Sequence, residues 1–196
     1  MGQDETDEHV RAAAILADRL MQIDANNDRF VHYYLLSRWN MSRLAGCEGD
    51  RDNVAFCLEQ AIEASQGLLR SQPNHVLYNK LHSNALSQMA RLNAEGNNWP
   101  EAVTWQIKSI PYMQAYCRSM PDNPEARFGL ATVIGDLFAF VRKAPPDEDR
   151  LSRAALLIQE SLELLPANYT MPADHPSREV LENCRETLRM PSHAVP

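Results

Sequence analysis

Gln72-Pro73-Asn74 and Met120-Pro121-Asp122-Asn123-Pro124-Glu125 are the stretches from which the fold can be read. Each joins a proline to an asparagine, and each lies between segments with apolar residues at three- and four-residue spacing. Proline in the first turn of a helix loses nothing, because the N–H it lacks has no intrahelical acceptor there. Asparagine is a preferred N-cap, its side-chain oxygen accepting a backbone N–H of the first turn. Asn98-Trp99-Pro100-Glu101 repeats the arrangement. In it, as in Asp122-Asn123-Pro124-Glu125, an Asn or Asp cap precedes an early Pro and a Glu at the third helical position, where it meets the positive end of the helix dipole.

Outward from these junctions the chain predicts seven helices: 7–23, 28–44, 52–70, 75–94, 99–118, 124–142 and 148–165, with a short eighth over 177–188. Eleven of the twelve prolines fall between these segments, in the first turn of one or in the tail, and only Pro111 lies in a helix interior, where a kink is expected. Expected core stripes include Ala13, Ala14, Ala17, Leu20 and Met21 in the first helix. In the fourth they are Leu77, Leu81, Ala85 and Met89, in the sixth Leu130, Ile134 and Leu137, and in the seventh Leu151, Ala154 and Ile158. Glycine is scarce at 7 residues, and period-two alternation is rare, which argues against a sheet.

The junctions recur. Taking Asn27, Asn74 and Asn123 as equivalent, the spacing is 47 and then 49 residues, and Tyr34, Leu81 and Leu130 follow at the same offset of seven. The repeating unit is a helical hairpin, present about three times with a flanking helix at each end. Such a unit buries its apolar face by stacking on its neighbours. The expected class is all-α, a stack of antiparallel helical hairpins of seven to eight helices. The expected organisation is a flexible acidic leader over 1–6, one repeat domain over 7–190 and a tail over 191–196.

The rhythm of Glu101-Ala102-Val103, Ser109-Ile110 and Met120-Pro121-Asp122-Asn123-Pro124-Glu125, echoed by Ala61-Ile62, Leu68-Leu69, Gln72-Pro73-Asn74 and Leu81, resembles the tetratricopeptide repeat. The long period is similar to repeats found beside bacterial serine/threonine kinase domains. The unit is longer than the usual 34 residues of that family, and most of its glycine positions are missing. The resemblance implies a protein-interaction scaffold or adaptor whose concave groove is lined by the first helix of each hairpin.

Chemistry-bearing motifs are absent: no G-x-x-x-x-G-K-[ST], G-x-G-x-x-G, H-R-D, D-F-G, H-E-x-x-H or G-x-S-x-G occurs. An enzyme is therefore not expected, nor any cofactor. His75 and His82 stand seven positions apart, about 10 Å of helical rise, too far to share a metal ion. Glu48-Gly49-Asp50-Arg51-Asp52-Asn53 lacks the glycine and glutamate of a calcium loop, and Asp50 or Asp52 reads as a helix cap. The net charge of −7, with no run of Lys or Arg, speaks against nucleic acid. Four cysteines without a C-x-x-C pattern, and an acidic start unlike a signal peptide, point to the cytoplasm. No segment reaches the roughly 18 apolar residues of a membrane span.

The expected partner is a protein or peptide, with self-association as one alternative and an enzyme with an unrecognised site as the other. The candidate binding residues are Lys80, Asn84, Ser87 and Arg91, one polar stripe on the fourth helix, with Tyr33 and Ser37 in the second. Lys, Asn and Arg so placed are what tetratricopeptide domains use to hold an extended peptide or its carboxylate. Trp39, Trp99, Trp105, Tyr112 and Tyr116 are secondary anchors.

Overall fold

The structure, a computed structural model, describes residues 3–167, 169–172, 178–179 and 182–183. Among these the chain is all-α, with seven helices in order: α1 Gln3–Ile23, α2 Asp28–Glu48, α3 Arg51–Ser71, α4 Val76–Glu95, α5 Trp99–Ser119, α6 Pro124–Val141 and α7 Glu148–Glu163. The expected eighth helix, Cys184, His175, His193 and the tail fall wholly or largely outside the described residues. Positions 178, 179, 182 and 183 are helical.

Capping explains most boundaries. Asn27, Asn123 and Asp147 accept from the backbone N–H of Arg29, Glu125 and Arg150 at 3.1, 2.8 and 2.8 Å. Asn123 rather than Asp122 is the cap, so Glu125 stands one position nearer the helix start than expected. Asn98 makes no such bond; its amide donates instead to Asn93 Oδ1. α2 runs four residues beyond the expected end. Gly46 lies in the helix, and Gly49, at φ 75°, ends it in the left-handed region that glycine tolerates without strain. Asp50 then caps α3 through Asn53 N–H at 3.1 Å, so two residues turn the chain between α2 and α3. α1 begins at Gln3, ahead of the expected Asp7. α5 continues through Pro111, whose ring lies on the exposed side of the helix.

The chain divides into two compact units, Met1–Leu92 and Asn93–Pro196. In the first, α2 packs against both α1 and α3, burying Ala14, Ala17, Leu35, Leu44, Ala45, Leu58, Ala61 and Leu68. Ala13, expected in the core, is exposed, and α1 also leaves Ile15, Leu16 and Ile23 in solvent. On α4, Ala85 and Met89 are buried as expected and Leu81 is half-buried, but the first expected core position differs. Leu77 is 41% exposed, and Tyr78 takes the buried place, stacked on His75 at 3.8 Å between ring centres. The buried series on α4 is thus Tyr78, His82, Ala85 or Leu86, and Met89.

In the second unit α5, α6 and α7 pack on one another. Val103, Ile107, Ile110 and Tyr116 are buried on α5, and Leu130, Ile134, Leu137, Ala154 and Ile158 are buried as expected, whereas Leu151 is exposed. Gly129 permits the close approach of α5 and α6: a Cβ there would stand 3.0 Å from Met113 Sδ. Gln106, fully buried on α5, donates to Val133 O on α6 at 2.8 Å, and Gln114 donates to Ser161 Oγ on α7 at 2.9 Å.

Candidate functional site

The first unit contains a groove of about 730 Å³ between α1, α2 and α3. Its floor is the start of α2, where Asp28, Val31 and Tyr34 recur at three-residue spacing. One wall is the end of α1, with Asp18, Met21 and Gln22. The other is α3, where Gln60, Glu63, Ala64, Gly67 and Ser71 form a stripe at three- and four-residue spacing. The geometry follows from the hairpins. α2 runs antiparallel to both neighbours, so the C-terminal halves of α1 and α3 flank its first turns. Small residues keep the space open. Ala64 and Gly67 face it, and a Cβ added at Gly67 would meet no atom within 4 Å. Volumes of about 300–1,000 Å³ are those of ligand-holding clefts.

The polar groups in this groove are arranged unevenly. Arg38 reaches across from α2 to Asp18 on α1 in an ion pair, and its guanidinium lies 4.6 Å from the centre of the Tyr34 ring. The Asp18 carboxylate, the hydrogen bond it accepts and the neighbouring Tyr34 hold Arg38 charged, outweighing its partial burial. Asp28 Oδ2 accepts from Gln72 Nε2 at 2.6 Å. Gln60 Oε1 is buried with no hydrogen-bond partner.

None of the candidate binding residues read from the sequence lines this groove. Ser37 is buried, its hydroxyl donating to Tyr34 O at 2.7 Å, while the adjacent turn presents Tyr33 with 54% of its surface exposed. Ser87 is buried, and Lys80, Asn84 and Arg91 are half-buried on α4. Trp39, Trp99 and Trp105 are half-buried, with Lys143 over Trp99 at 4.5 Å and Lys108 over Trp105 at 4.3 Å.

A second cluster invites a catalytic reading. Ser65 Oγ lies 2.7 Å from His82 Nδ1. Ser65 is fully buried and His82 is 3% exposed, and the serine hydroxyl also lies 2.7 Å from Ala61 O in its own helix. Burial pulls the His82 imidazole down to about 4, so it stays neutral at pH 7. A nucleophile sealed from solvent reaches no substrate, and the pair ties α3 to α4. Nearby, His32 packs 5.8 Å from Tyr78, and burial, then the charge of His75, lowers its pKa.

Cys57 and Cys117 are buried free thiols, pushed up by burial and so poor nucleophiles, and Cys47 is exposed. Among the described residues no three His, Cys, Asp or Glu side chains converge as metal ligands, and no helix is long and apolar enough to cross a membrane.

Comparison with known protein families, curated proteins and solved structures finds no match.

Proposed function

We propose that this chain is a protein-interaction module of tetratricopeptide-like kind that holds an extended segment of another protein in the groove between α1, α2 and α3. The observation that carries the reading is Gly67. Glycine in a helix interior costs roughly 1 kcal/mol relative to alanine, and here no packing constraint calls for it, since its Cβ position is open. What it provides is room along the α3 wall. From Gln60 to Ser71 that wall is about 16 Å long at the helical rise, the length of about five extended residues. The net charge of −7 and the sealing of the Ser65–His82 pair support binding of protein rather than of nucleic acid, and binding rather than catalysis.

The test separates folding from binding at one position. Gly67→Ala should raise stability by about 0.5–1 kcal/mol, read from the urea midpoint. Gly67→Leu should keep the fold while filling the groove. Peptides selected from a random library by the wild type should then bind this variant at least tenfold more weakly. Selected peptides that bind both proteins equally would sink the reading.

A second reading, self-association, is favoured by Ile15, Leu16 and Ile23 standing 55%, 58% and 74% exposed on α1. It predicts a sedimentation mass that rises with concentration and falls to the monomer in Leu16→Glu/Ile23→Glu. A monomer at all concentrations would exclude it.

A further inference from the structure

We infer that two copies of this chain pair through α1, antiparallel about a twofold axis at position 18, with Ala13 of each copy on Ile23 of the other and Leu16 on Leu20. This deepens the self-association reading above and rests on it.

Part of α1 is committed within its own unit. Ala14 and Ala17 are buried, and Asp18 pairs with Arg38 on α2. Asp18, Met21 and Gln22 line the groove, on the side of α1 turned to α3. At about 100° per residue, Ala13, Leu16, Leu20 and Ile23 lie on the opposite side of the helix. Ala13, Leu16 and Ile23 are exposed and Leu20 is half-buried. Their spacing of three, four and three residues is that of an apolar coiled-coil seam. Ile15, also exposed, stands about 100° round from Leu16 and outside the seam. Arg19, exposed at the seam's edge, can turn its guanidinium to water.

The order of these residues selects a second copy as the occupant. A twofold contact sets residue i of one copy on residue j of the other, and j on i. Positions 13, 16, 20 and 23 read the same in either direction about position 18, so reversing one helix lays every seam residue on another. Small Ala13 meets large Ile23 at both ends, and Leu16 meets Leu20 between them. Charge fixes the direction. Asp4, Glu5, Asp7 and Glu8 lie in the first turns of α1, with no basic residue among them. A parallel pair would bring the two acidic sets together. An antiparallel pair holds them about 35 Å apart, beyond the roughly 8 Å over which salt lets charges interact. It also lays each set beside the turn that follows the partner's α1, where α2 starts. That start carries the exposed Arg29 and the positive end of the helix dipole. The groove, on the other side of α1, stays open.

The experiment uses the full chain carrying Cys47→Ser and Cys184→Ser, so that the other cysteines left are the buried Cys57 and Cys117. Ala13→Cys and Ile23→Cys are made separately, at exposed positions where neither threatens the fold. Oxidised as a mixture, the two variants should form a disulfide-linked dimer. Oxidised alone, neither should, because position 13 of one copy lies about 15 Å along the axis from position 13 of the other, too far for a disulfide. Sedimentation should show that Leu16→Glu, in the unmodified chain, weakens the dimer at least tenfold. Either cysteine variant cross-linking alone would mean a parallel pair and overturn the inference. A dimer in sedimentation that gives no cross-link in the mixture, or that Leu16→Glu leaves intact, would overturn the inference and leave self-association standing. A monomer at all concentrations would overturn both.

Discussion

Acidification from pH 7 to pH 4 should lower the folding stability by about 3 kcal/mol through His82 alone. In the unfolded chain the imidazole takes up its proton near pH 6.5, and in the folded protein only near pH 4, because burial disfavours the charged form. Between those values the unfolded state binds more protons, so the stability present above pH 6.5 is lost progressively as the pH falls and levels off below 4. His32, lowered for the same reason, adds in the same direction. His82→Asn isolates the effect. The amide oxygen can stand near the position of Nδ1 and keep a partner for Ser65, and the side chain does not titrate. The variant starts from a lower stability because the side chain is smaller, so the quantity to compare is the slope. The urea-derived stability of the wild type should fall between pH 7 and pH 4 by about 3 kcal/mol more than that of the variant. Parallel curves would show that His82 is protonated in the folded state or that the site opens to water.

The architecture is legible in the sequence because it depends on local signals. Caps such as Asn27 and Asn123, and apolar spacing over 15 to 20 residues, place all seven helices within a few residues of where they are found. Misplaced ends have local causes too. Gly46 reads as a breaker, but only Gly49 adopts the left-handed backbone that terminates a helix. Side-chain orientation is less legible. One residue is about 100° of helical rotation, so choosing Leu77 over Tyr78, or Tyr33 over Tyr34, moves the site to another face. Leu77 looks like core by hydrophobicity. It is Tyr78, with an aromatic partner in His75, that is buried.

The groove is the least legible feature. Its lining comes from three helices, and its volume depends on how far α1 stands from α3, which no local spacing encodes. One signal pointed to it: Gly67, in a chain with 7 glycines, lies mid-helix on the stripe of Gln60, Glu63 and Ser71, away from any turn. A polar stripe interrupted by glycine differs from an ordinary solvated face in that the glycine has a stability cost. The stripe of Lys80, Asn84, Ser87 and Arg91 carries no such mark, and Ser87 within it is buried.

In the second unit, apolar and polar buried side chains should differ widely in what they contribute. Leu130→Ala should destabilise the protein by about 2–5 kcal/mol, since Leu130 is fully buried on α6 and its removal loses transfer free energy and leaves a cavity. Gln114→Leu should cost only about 1 kcal/mol, although Gln114 is almost as deeply buried. The reason lies in what each change leaves behind. Ser161 still donates to Leu157 O in its own helix at 2.7 Å once the Gln114 amide is gone, and Arg118, exposed, exchanges its long contact with Gln114 for water. No buried donor is orphaned, and the leucine refills most of the volume. Chemical denaturation of both variants measures the two costs, and hydrogen exchange of α5, α6 and α7 locates them. If Gln114→Leu proved as damaging as Leu130→Ala, the α5–α7 hydrogen bond would be holding the unit together, and the apolar packing of α5 on α6 would be secondary.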